Sequence, residues 1–101
     1  MEKIEFRTDK DILYISLDGR IDASNAADVE NSINEIRKNN QGKHTVLDAD
    51  TLEYISSAGL RVLLTAQKKM NAQGTMELVG VSEAVMDIFE MTGFADILVI
   101  R

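Results

Sequence analysis

Two adjacent serines, Ser56 and Ser57, stand where the chain passes from an apolar segment directly into a helical pattern. The pattern predicts that Ser57 is the N-cap of that helix, because serine is among the residues preferred at this position. A hydroxyl at a helix start lies near free backbone N–H groups and the positive end of the helix dipole. A phosphate on this oxygen would be held favourably there. Ser57 is therefore predicted to be a phosphorylatable switch.

Composition limits the kinds of protein that can surround this serine. The 101 residues are 45% apolar, which supports one folded domain over residues 1–101. A net charge of −6 and only 5% aromatic residues argue against direct binding of nucleic acid. The absence of cysteine excludes thiol nucleophiles and disulfides. No apolar run reaches transmembrane length and no signal-peptide pattern is present, so we expect a cytoplasmic protein without membrane insertion.

Hydrophobic periodicity predicts a hairpin followed by alternating helices and strands. Apolar and polar residues alternate over 4–7 and 13–18, on either side of a polar turn at 8–11. Three further strands are expected, at 45–47, 76–79 and 97–100. Three helices are expected between strands, with N-caps at Ser24 or Asn25, at Ser57 and at Ser82. The second helix is expected to end at Gly74. The apolar faces of the first two helices are predicted to consist of Ala26, Val29, Ile33 and Ile36, and of Leu60, Leu63, Leu64 and Met70. Gly93 is expected to end the last helix.

This order predicts an α/β fold, with a mostly parallel sheet, an N-terminal antiparallel hairpin and crossover helices. Sites in open α/β sheets form at the carboxyl ends of the strands. The polar residues that follow the predicted strands are therefore expected to share one acidic rim: Asp22, Asp48, Asp50, Ser57 and Glu83.

The segment around Ser57 resembles the STAS domain of bacterial anti-sigma-factor antagonists. The family pattern is a strand ending in Asp, an apolar turn, and then Asp-Ser-Ser/Thr-Gly-Leu opening a helix. Here residues 46–48, 52–55 and 56–60 occupy these places, and Gly19, Asp22 and Gly93 fit as well. The chain differs from the pattern at Ser56, where Asp is usual, and at Ala58, where Ser or Thr is usual.

The resemblance implies a partner-switching protein without catalysis or a cofactor of its own. The unphosphorylated domain would bind an anti-sigma factor that is also a serine kinase, so that the sigma factor is released. Phosphorylation of Ser57 would end the interaction, and a serine phosphatase would restore it. Asp22, Ser56, Gly59 and Arg61 are the residues expected to form the surrounding contact surface. The alternative is a STAS domain that acts without phosphorylation, as an interaction module of a membrane-transport or signalling complex.

Two other classes of α/β protein fit less well. A serine hydrolase elbow needs Gly at position 55, where this chain has Ile55. Its general base would have to be His44, which begins the predicted third strand whereas Ser57 lies beyond its end. A phospho-aspartyl receiver would need a lysine at the end of the last strand, where this chain ends with Arg101.

Overall fold

The structure is a computed structural model that describes residues 4–73 and 75–101. Six strands, three α-helices and one short 3-10 helix alternate along the chain. In chain order they are β1 (Phe6–Asp9), β2 (Ile12–Ser16), β3 (Gly19–Ile21), α1 (Ala26–Lys38), β4 (His44–Asp48), β5 (Leu52–Ile55), α2 (Ser57–Gln73), β6 (Met76–Val79), α3 (Glu83–Thr92) and the 3-10 helix Phe94–Asp96.

The main sheet has four strands in the order β1-β2-β4-β6. β1 pairs antiparallel with β2, whereas β2 with β4 and β4 with β6 are parallel pairs. The predicted fold class is therefore confirmed. The hairpin turn is tighter than the four residues predicted: Asp9 pairs with Ile12, so that only Lys10 and Asp11 connect the strands. Lys10 takes a positive φ of 56°, as tight hairpin turns often require.

A second sheet of two short strands was not predicted from the sequence. β3 and β5 pair in parallel, and Ile21 lies opposite Ile55. From the sequence, residues 19–22 are expected to end the second strand and residues 52–55 to form an apolar turn. Strands of three and four residues are too short to show a clear alternation, and their pairing joins distant parts of the chain. This small sheet is what brings the two segments of the family motif together.

The predicted fifth strand, residues 97–100, is wrong. After the 3-10 helix the chain forms a single bridge, between Ile100 and Leu78. Two backbone hydrogen bonds hold it beside β6: Leu78 N–H donates to Val99 O at 2.8 Å, and Arg101 N–H donates to Leu78 O at 2.8 Å. The composition of an apolar run such as residues 97–100 predicts a strand. Here the run lies at the edge of the sheet and pairs only through the bridge to Leu78.

Buried apolar side chains from the strands and all three helices form one core. α1 buries the predicted stripe Ala26, Val29, Ile33 and Ile36. α2 contributes the buried residues Leu60, Val62, Leu63 and Ala66. The predicted burial of the Met70 side chain and the predicted helix end at Gly74 fall outside what the structure describes. α3 buries Val85 and Phe89 and ends at Gly93, which has φ +80° as predicted for a helix-ending glycine. Within residues 4–73 and 75–101, none of the helices is both long enough and apolar enough to cross a bilayer.

Candidate functional site

The site is built where β5 runs into α2. β5 ends at Ile55 and α2 begins at Ser57, which leaves Ser56 as the one residue between them. The Ser56 carbonyl accepts a hydrogen bond from Leu60 N–H at 2.9 Å, and its Oγ accepts from Gly59 N–H at 3.4 Å. Ser56 is therefore the N-cap of α2. The prediction that Ser57 caps this helix is wrong by one residue.

Ser57 is the first residue of α2, and it is exposed. The N–H groups of the first helical residues have no acceptor within the helix, and they point towards the space in front of it. The first turn, residues 57–60, contains no Asp or Glu that would offset the positive end of the helix dipole. The Ser57 hydroxyl is thus accessible and stands where a negative charge would be favourable.

A backbone hydrogen bond places Asp22 beside this helix start. Ser56 N–H donates to Ile21 O at 2.8 Å, and Asp22 is the next residue after Ile21. The Asp22 carboxylate accepts from Ser24 Oγ at 2.5 Å and from Ser24 N–H at 2.9 Å. These two donors, the hydroxyl first, hold the pKa of Asp22 below its usual value. Asp22 is therefore an ordered, ionised carboxylate, carried by the residue after the one whose carbonyl Ser56 contacts.

Asn25 orders the same loop in an unexpected way. It occupies the N-cap position of α1, one of the two positions predicted, but its side chain makes no capping hydrogen bond. Instead its Oδ1 accepts from Asp22 N–H at 2.9 Å, and its Nδ2 donates to Arg20 O at 2.8 Å. The side chain thus fixes the backbone on both sides of Ile21, so that the loop holding Asp22 is well defined.

Gly59 is buried beneath the site, where α2 crosses the small sheet. A Cβ atom at this position would lie 2.6 Å from Ile55 Cγ1 and 2.7 Å from Ile21 Cγ2. Both distances are shorter than carbon atoms can approach without displacement. This burial favours a packing explanation for the glycine, since it lets α2 lie close against β3 and β5. Its place in a contact surface stays a prediction.

Arg61 is exposed one turn after Ser57 on α2. Residues four apart on a helix are neighbours on its surface. The guanidinium therefore starts from a backbone position suited to reach an anion at Ser57. Its role as a contact residue also stays a prediction.

The structure adds two residues to the site that sequence reasoning missed. Arg20 on β3 and Tyr54 on β5 are paired across the small sheet, and the Arg20 guanidinium carbon lies 4.4 Å from the centre of the Tyr54 ring. Both residues are exposed, and they immediately precede the segments that carry Asp22 and Ser56. Arginine and tyrosine are enriched at protein interfaces. Only the pairing of β3 with β5 reveals the two as neighbours.

The other predicted rim residues are held by different contacts. Asp48 ends β4, and its carboxylate accepts a hydrogen bond from Asp50 N–H at 3.0 Å. Asp50 lies against the end of β6, because a Cβ atom on Gly80 would be 3.2 Å from Asp50 Cα. Glu83 begins α3. The hydrogen bonds join Ser56 to Ile21, the residue before Asp22, and join Asp50 to Asp48. A single rim that includes all the predicted residues stays a prediction.

His44 is held by residues other than Ser57. Its Nδ1 forms a hydrogen bond with Thr75 Oγ1, and its Nε2 lies 3.2 Å from Glu77 Oε1. Arg101 contacts the same Glu77 oxygen at 3.1 Å. These contacts give His44 a structural explanation. Within the part of the chain that the structure describes, no group of three or more His, Asp and Glu residues could hold a metal ion.

The sequence as a whole matches the STAS domain family over residues 3–101. The chain belongs to this family. An anti-sigma-B factor antagonist of Listeria monocytogenes is 32% identical over 94 residues, which are 92% of this chain and 82% of that protein. BtrV of Bordetella bronchiseptica, whose name marks it provisionally as an anti-sigma factor antagonist, is 34% identical over 87 residues, or 85% of this chain and 74% of that protein.

Solved structures share this STAS fold. The anti-sigma factor antagonist SpoIIAA in its unphosphorylated form superposes with a TM-score of 0.77 at 16% identity, over 97% of this chain and 87% of that one. SpoIIAA has also been solved in its phosphorylated form, with a TM-score of 0.70 at 15% identity, over 97% of this chain and 90% of that one. At these identities the likeness concerns the fold alone.

Proposed function

We propose that this STAS domain is an anti-sigma factor antagonist that phosphorylation of Ser57 switches off. The observation that carries the proposal is the place of Ser57, an exposed hydroxyl at the first position of a helix whose first turn has no acidic residue. The names of the Listeria and Bordetella relatives support the same role. In this role the domain binds an anti-sigma factor and catalyses no reaction itself.

The fold is well suited to accept a phosphate at this position. A phosphoserine adds about −1.5 to −2 charges at pH 7, together with three acceptor oxygens. The N–H groups at the start of α2 and the helix dipole both favour that charge. Arg61, one turn further on, adds a cation on the neighbouring helix surface. We therefore expect phosphorylation to leave the domain folded.

The same phosphate would oppose binding of the partner. Asp22, which follows the Ile21 carbonyl that Ser56 contacts, already supplies an ionised carboxylate, so a second negative group concentrates charge at this end of the molecule. Like charges or unpaired charges in a desolvated interface are unfavourable by several kcal/mol. We propose that the partner contacts Asp22, Ser56, Ser57 and Arg61, while Gly59 supports this surface from beneath.

The geometry favours Ser57 over Ser56 as the phosphoacceptor. Ser56 is half-buried and its Oγ already accepts from Gly59 N–H. A phosphate on Ser56 would require that capping interaction to rearrange, because the substituted oxygen is the cap. Ser57 is exposed and the helix cap does not depend on it. A kinase could thus reach Ser57 without disturbing the start of α2.

The partners in this proposal are those that the resemblance to anti-sigma-factor antagonists implies. A serine kinase would transfer the γ-phosphoryl group of ATP to Ser57 Oγ, and the kinase would be the anti-sigma factor itself. A serine phosphatase would hydrolyse the phosphoserine and restore the hydroxyl. Transcription would respond through release of the sigma factor from its inhibitor.

The test measures binding by four baits: the wild type, Ser57→Ala, Ser57→Asn and Ser57→Asp. Proteins captured from a lysate of the native host are identified, and the kinase-fold protein among them is purified for affinity measurements. Asn and Asp have nearly the same shape, so their comparison isolates the charge. We expect Ala and Asn to bind like the wild type and Asp to bind about 100-fold more weakly.

The second half of the test uses ATP. The purified partner should phosphorylate the wild type at Ser57 and leave Ser57→Ala unmodified, as determined by mass spectrometry of the peptides. If the Asp and Asn baits bind with equal affinity, the switch at Ser57 is wrong. The domain would then fit the alternative, an interaction module that works without phosphorylation.

A further inference from the structure

One side of the main sheet ends in an open strand. β1 is the terminal strand in the order β1-β2-β4-β6, and among the strands that the structure describes it pairs only with β2. All four residues of β1, Phe6–Asp9, are exposed, and so is Glu5 before them. A row of backbone groups without a strand beside it is a template for a further strand. We call this outer side of residues 5–9 the β1 edge.

The hydrogen bonds to β2 determine which backbone groups point to the β1 edge. Ser16 N–H donates to Glu5 O at 2.9 Å. Such bonds alternate along an antiparallel pair, so Glu5 and Arg7 direct their N–H and C=O groups towards β2. The backbone groups of Phe6 and Thr8 therefore point away from the sheet. They are oriented to pair with another antiparallel strand.

The side chains at the β1 edge carry charges that are complementary to a second copy of themselves. Glu5 precedes Phe6, and Arg7 follows it. When two copies pair antiparallel with Phe6 opposite Phe6, each Glu5 lies opposite Arg7 of the other copy. Because Phe6 takes a hydrogen-bonded position, these charge pairs take the non-hydrogen-bonded positions, where facing side chains are closest. In the sequence, Lys3 and Asp9 also stand at equal distances on the two sides of Phe6.

The neighbouring registers lose this complementarity. Only every second residue directs its backbone groups to the β1 edge, so the register can change only in steps of two residues. One step places Arg7 opposite Arg7, and a step in the other direction places Glu5 opposite Glu5. Like charges directly opposite each other are destabilising. The charges therefore select the register that is centred on Phe6.

Phe6 supplies an apolar contact at the centre of the same register. Its side chain is 50% exposed, although it lies opposite Ile15, which is fully buried in the core. Phe6 thus extends the core face of the sheet to the β1 edge and leaves apolar surface open there. Pairing with a second copy would bring the two rings together on one face of the sheet and bury part of that surface.

Charged side chains on an edge strand also have a simpler explanation. They discourage other chains from pairing with the strand, and many proteins protect their edges in this way. Charges in any order would provide that protection. Here the order of Glu5 and Arg7 opposes pairing in the neighbouring registers and favours it in the register centred on Phe6. The order of the charges therefore requires a further reason.

We propose that the β1 edge pairs with the β1 edge of a second copy, so that two four-stranded sheets join into one sheet of eight strands. The pairing has two-fold symmetry, and its axis passes between the two Phe6 residues. An interface made by one strand from each copy is small, so we expect a weak, reversible dimer. Ser57 follows β5 of the small sheet, so the proposal does not depend on the phosphorylation switch.

The first test measures self-association of the full chain by sedimentation equilibrium, at protein concentrations up to about 1 mM. Arg7→Glu and Glu5→Arg should each weaken the dimer at least about tenfold, because both charge pairs then become pairs of like charges. An equimolar mixture of the two variants should associate at least as tightly as the wild type, since every Glu again faces an Arg. This recovery would separate the charge pairing from any effect of the single variants on the fold.

Lys68→Glu is the matched control for net charge. Lys68 is exposed on α2, so this equal change of charge should weaken the dimer by less than about twofold. Ser57→Asp should also leave the dimer unchanged. Equal losses for Lys68→Glu and Arg7→Glu, or a mixture that does not associate, would overturn the proposal. So would a wild-type chain that stays monomeric at about 1 mM, which would leave the charges as protection of the edge.

The second test determines the register by disulfide formation, in a chain that has no cysteine of its own. Phe6→Cys places a thiol opposite the same thiol in the other copy, with Cα atoms about 5.5 Å apart, which a disulfide can span. Thr8→Cys is the control on the same strand, because the two copies of residue 8 would be about 14 Å apart. Phe6→Cys should form disulfide dimers at least about tenfold faster. Equal rates, or faster dimerisation of Thr8→Cys, would rule out this register.

Discussion

α2 and α3 begin in the same way and differ at two positions. Each helix has a serine N-cap whose Oγ accepts from the N–H three residues later: Ser56 from Gly59 at 3.4 Å, and Ser82 from Val85 at 3.2 Å. The residue after the cap is Ser57 in α2 and Glu83 in α3. α3 thus carries a permanent negative charge in its first turn, whereas α2 carries a hydroxyl.

This difference shows how a regulatory position can be made from an ordinary helix start. A carboxylate after the cap offsets the helix dipole permanently, as Glu83 does. A serine in that place leaves the charge to be added later, and the cap next to it keeps the helix formed in either state. The third position differs as well, because Gly59 allows α2 to lie against the small sheet, while Val85 fills the core.

The largest effect on stability should come from replacing Gly59, the third residue of α2, with valine, the residue that α3 has at the equivalent position. Gly59→Val would place a Cβ atom 2.6 Å from Ile55 Cγ1 and 2.7 Å from Ile21 Cγ2. Overpacking at a rigid contact typically costs about 1–3 kcal/mol and occasionally more, so we expect a loss of at least about 3 kcal/mol from the free energy of unfolding in urea.

Gly59→Ala gives a graded version of the same experiment. The helix propensity of alanine favours the variant by about 1 kcal/mol, while the Cβ contacts oppose it, so we expect a smaller net loss. An increase in stability for Gly59→Ala would contradict the packing explanation. Such an increase would favour the other explanation, in which Gly59 allows close contact with the partner.

Removal of the two caps should have the next largest effect. Ser56→Ala and Ser82→Ala should each lower the free energy of unfolding by about 1 kcal/mol. Ser82→Ala should lower the free energy of unfolding more than Ser56→Ala, because the hydrogen bond of Ser82 is shorter than that of Ser56. Ser57→Ala is the matched control and should change stability by less than about 0.5 kcal/mol, as surface substitutions usually do. A greater loss of stability for Ser57→Ala than for Ser56→Ala would mean that Ser57, and not Ser56, is the N-cap of α2.

Charge exchange after the caps should produce a smaller, salt-dependent effect. Ser57→Asp should stabilise the fold and Glu83→Gln should destabilise it, each by about 0.3–1 kcal/mol at low ionic strength. Both differences should shrink in about 1 M salt, because exposed charges are screened. Urea unfolding at the two salt concentrations measures this directly. Destabilisation by Ser57→Asp at low salt would mean that repulsion from Asp22 outweighs the helix dipole.

The architecture could be predicted because long segments of the sequence are periodic. The details of the site were harder to predict, because two neighbouring serines both fit the same role at the start of α2. The stripe Ala26, Val29, Ile33 and Ile36 indicated a helix face, and that face is buried. At the start of α2 either serine satisfied the capping pattern. The choice of Ser56 depends on Ile21 O, which accepts the Ser56 N–H and so fixes where β5 ends. A strand as short as β3 leaves too little pattern to reveal that acceptor in advance.

The same limit explains why Arg20 and Tyr54 were missed and why the role of Gly59 stayed open. Their significance depends on the pairing of β3 with β5, which joins residues more than thirty positions apart. Asp22 was recognised because it stands in a motif, but its partner Ser24 emerged only with the folded loop. Local patterns therefore located the functional segment, while tertiary contacts assigned its residues their physical roles.

The smallest predicted effect concerns the charge beside the start of α2. The Ser24 hydroxyl, followed by its N–H, lowers the pKa of Asp22 in the folded state, so ionised Asp22 contributes stability above its unfolded pKa. That contribution is lost as the pH falls through the folded pKa. Asp22→Asn keeps an oxygen for Ser24 but removes the charge. We expect the variant to be less stable than the wild type at about pH 7 and the difference to shrink as the pH falls through the lowered pKa of Asp22. Other carboxylates titrate in both proteins and cancel in the difference. A difference that persists in acid would show that Asp22 orders the loop through its shape and hydrogen bonds, and that its charge adds little to stability.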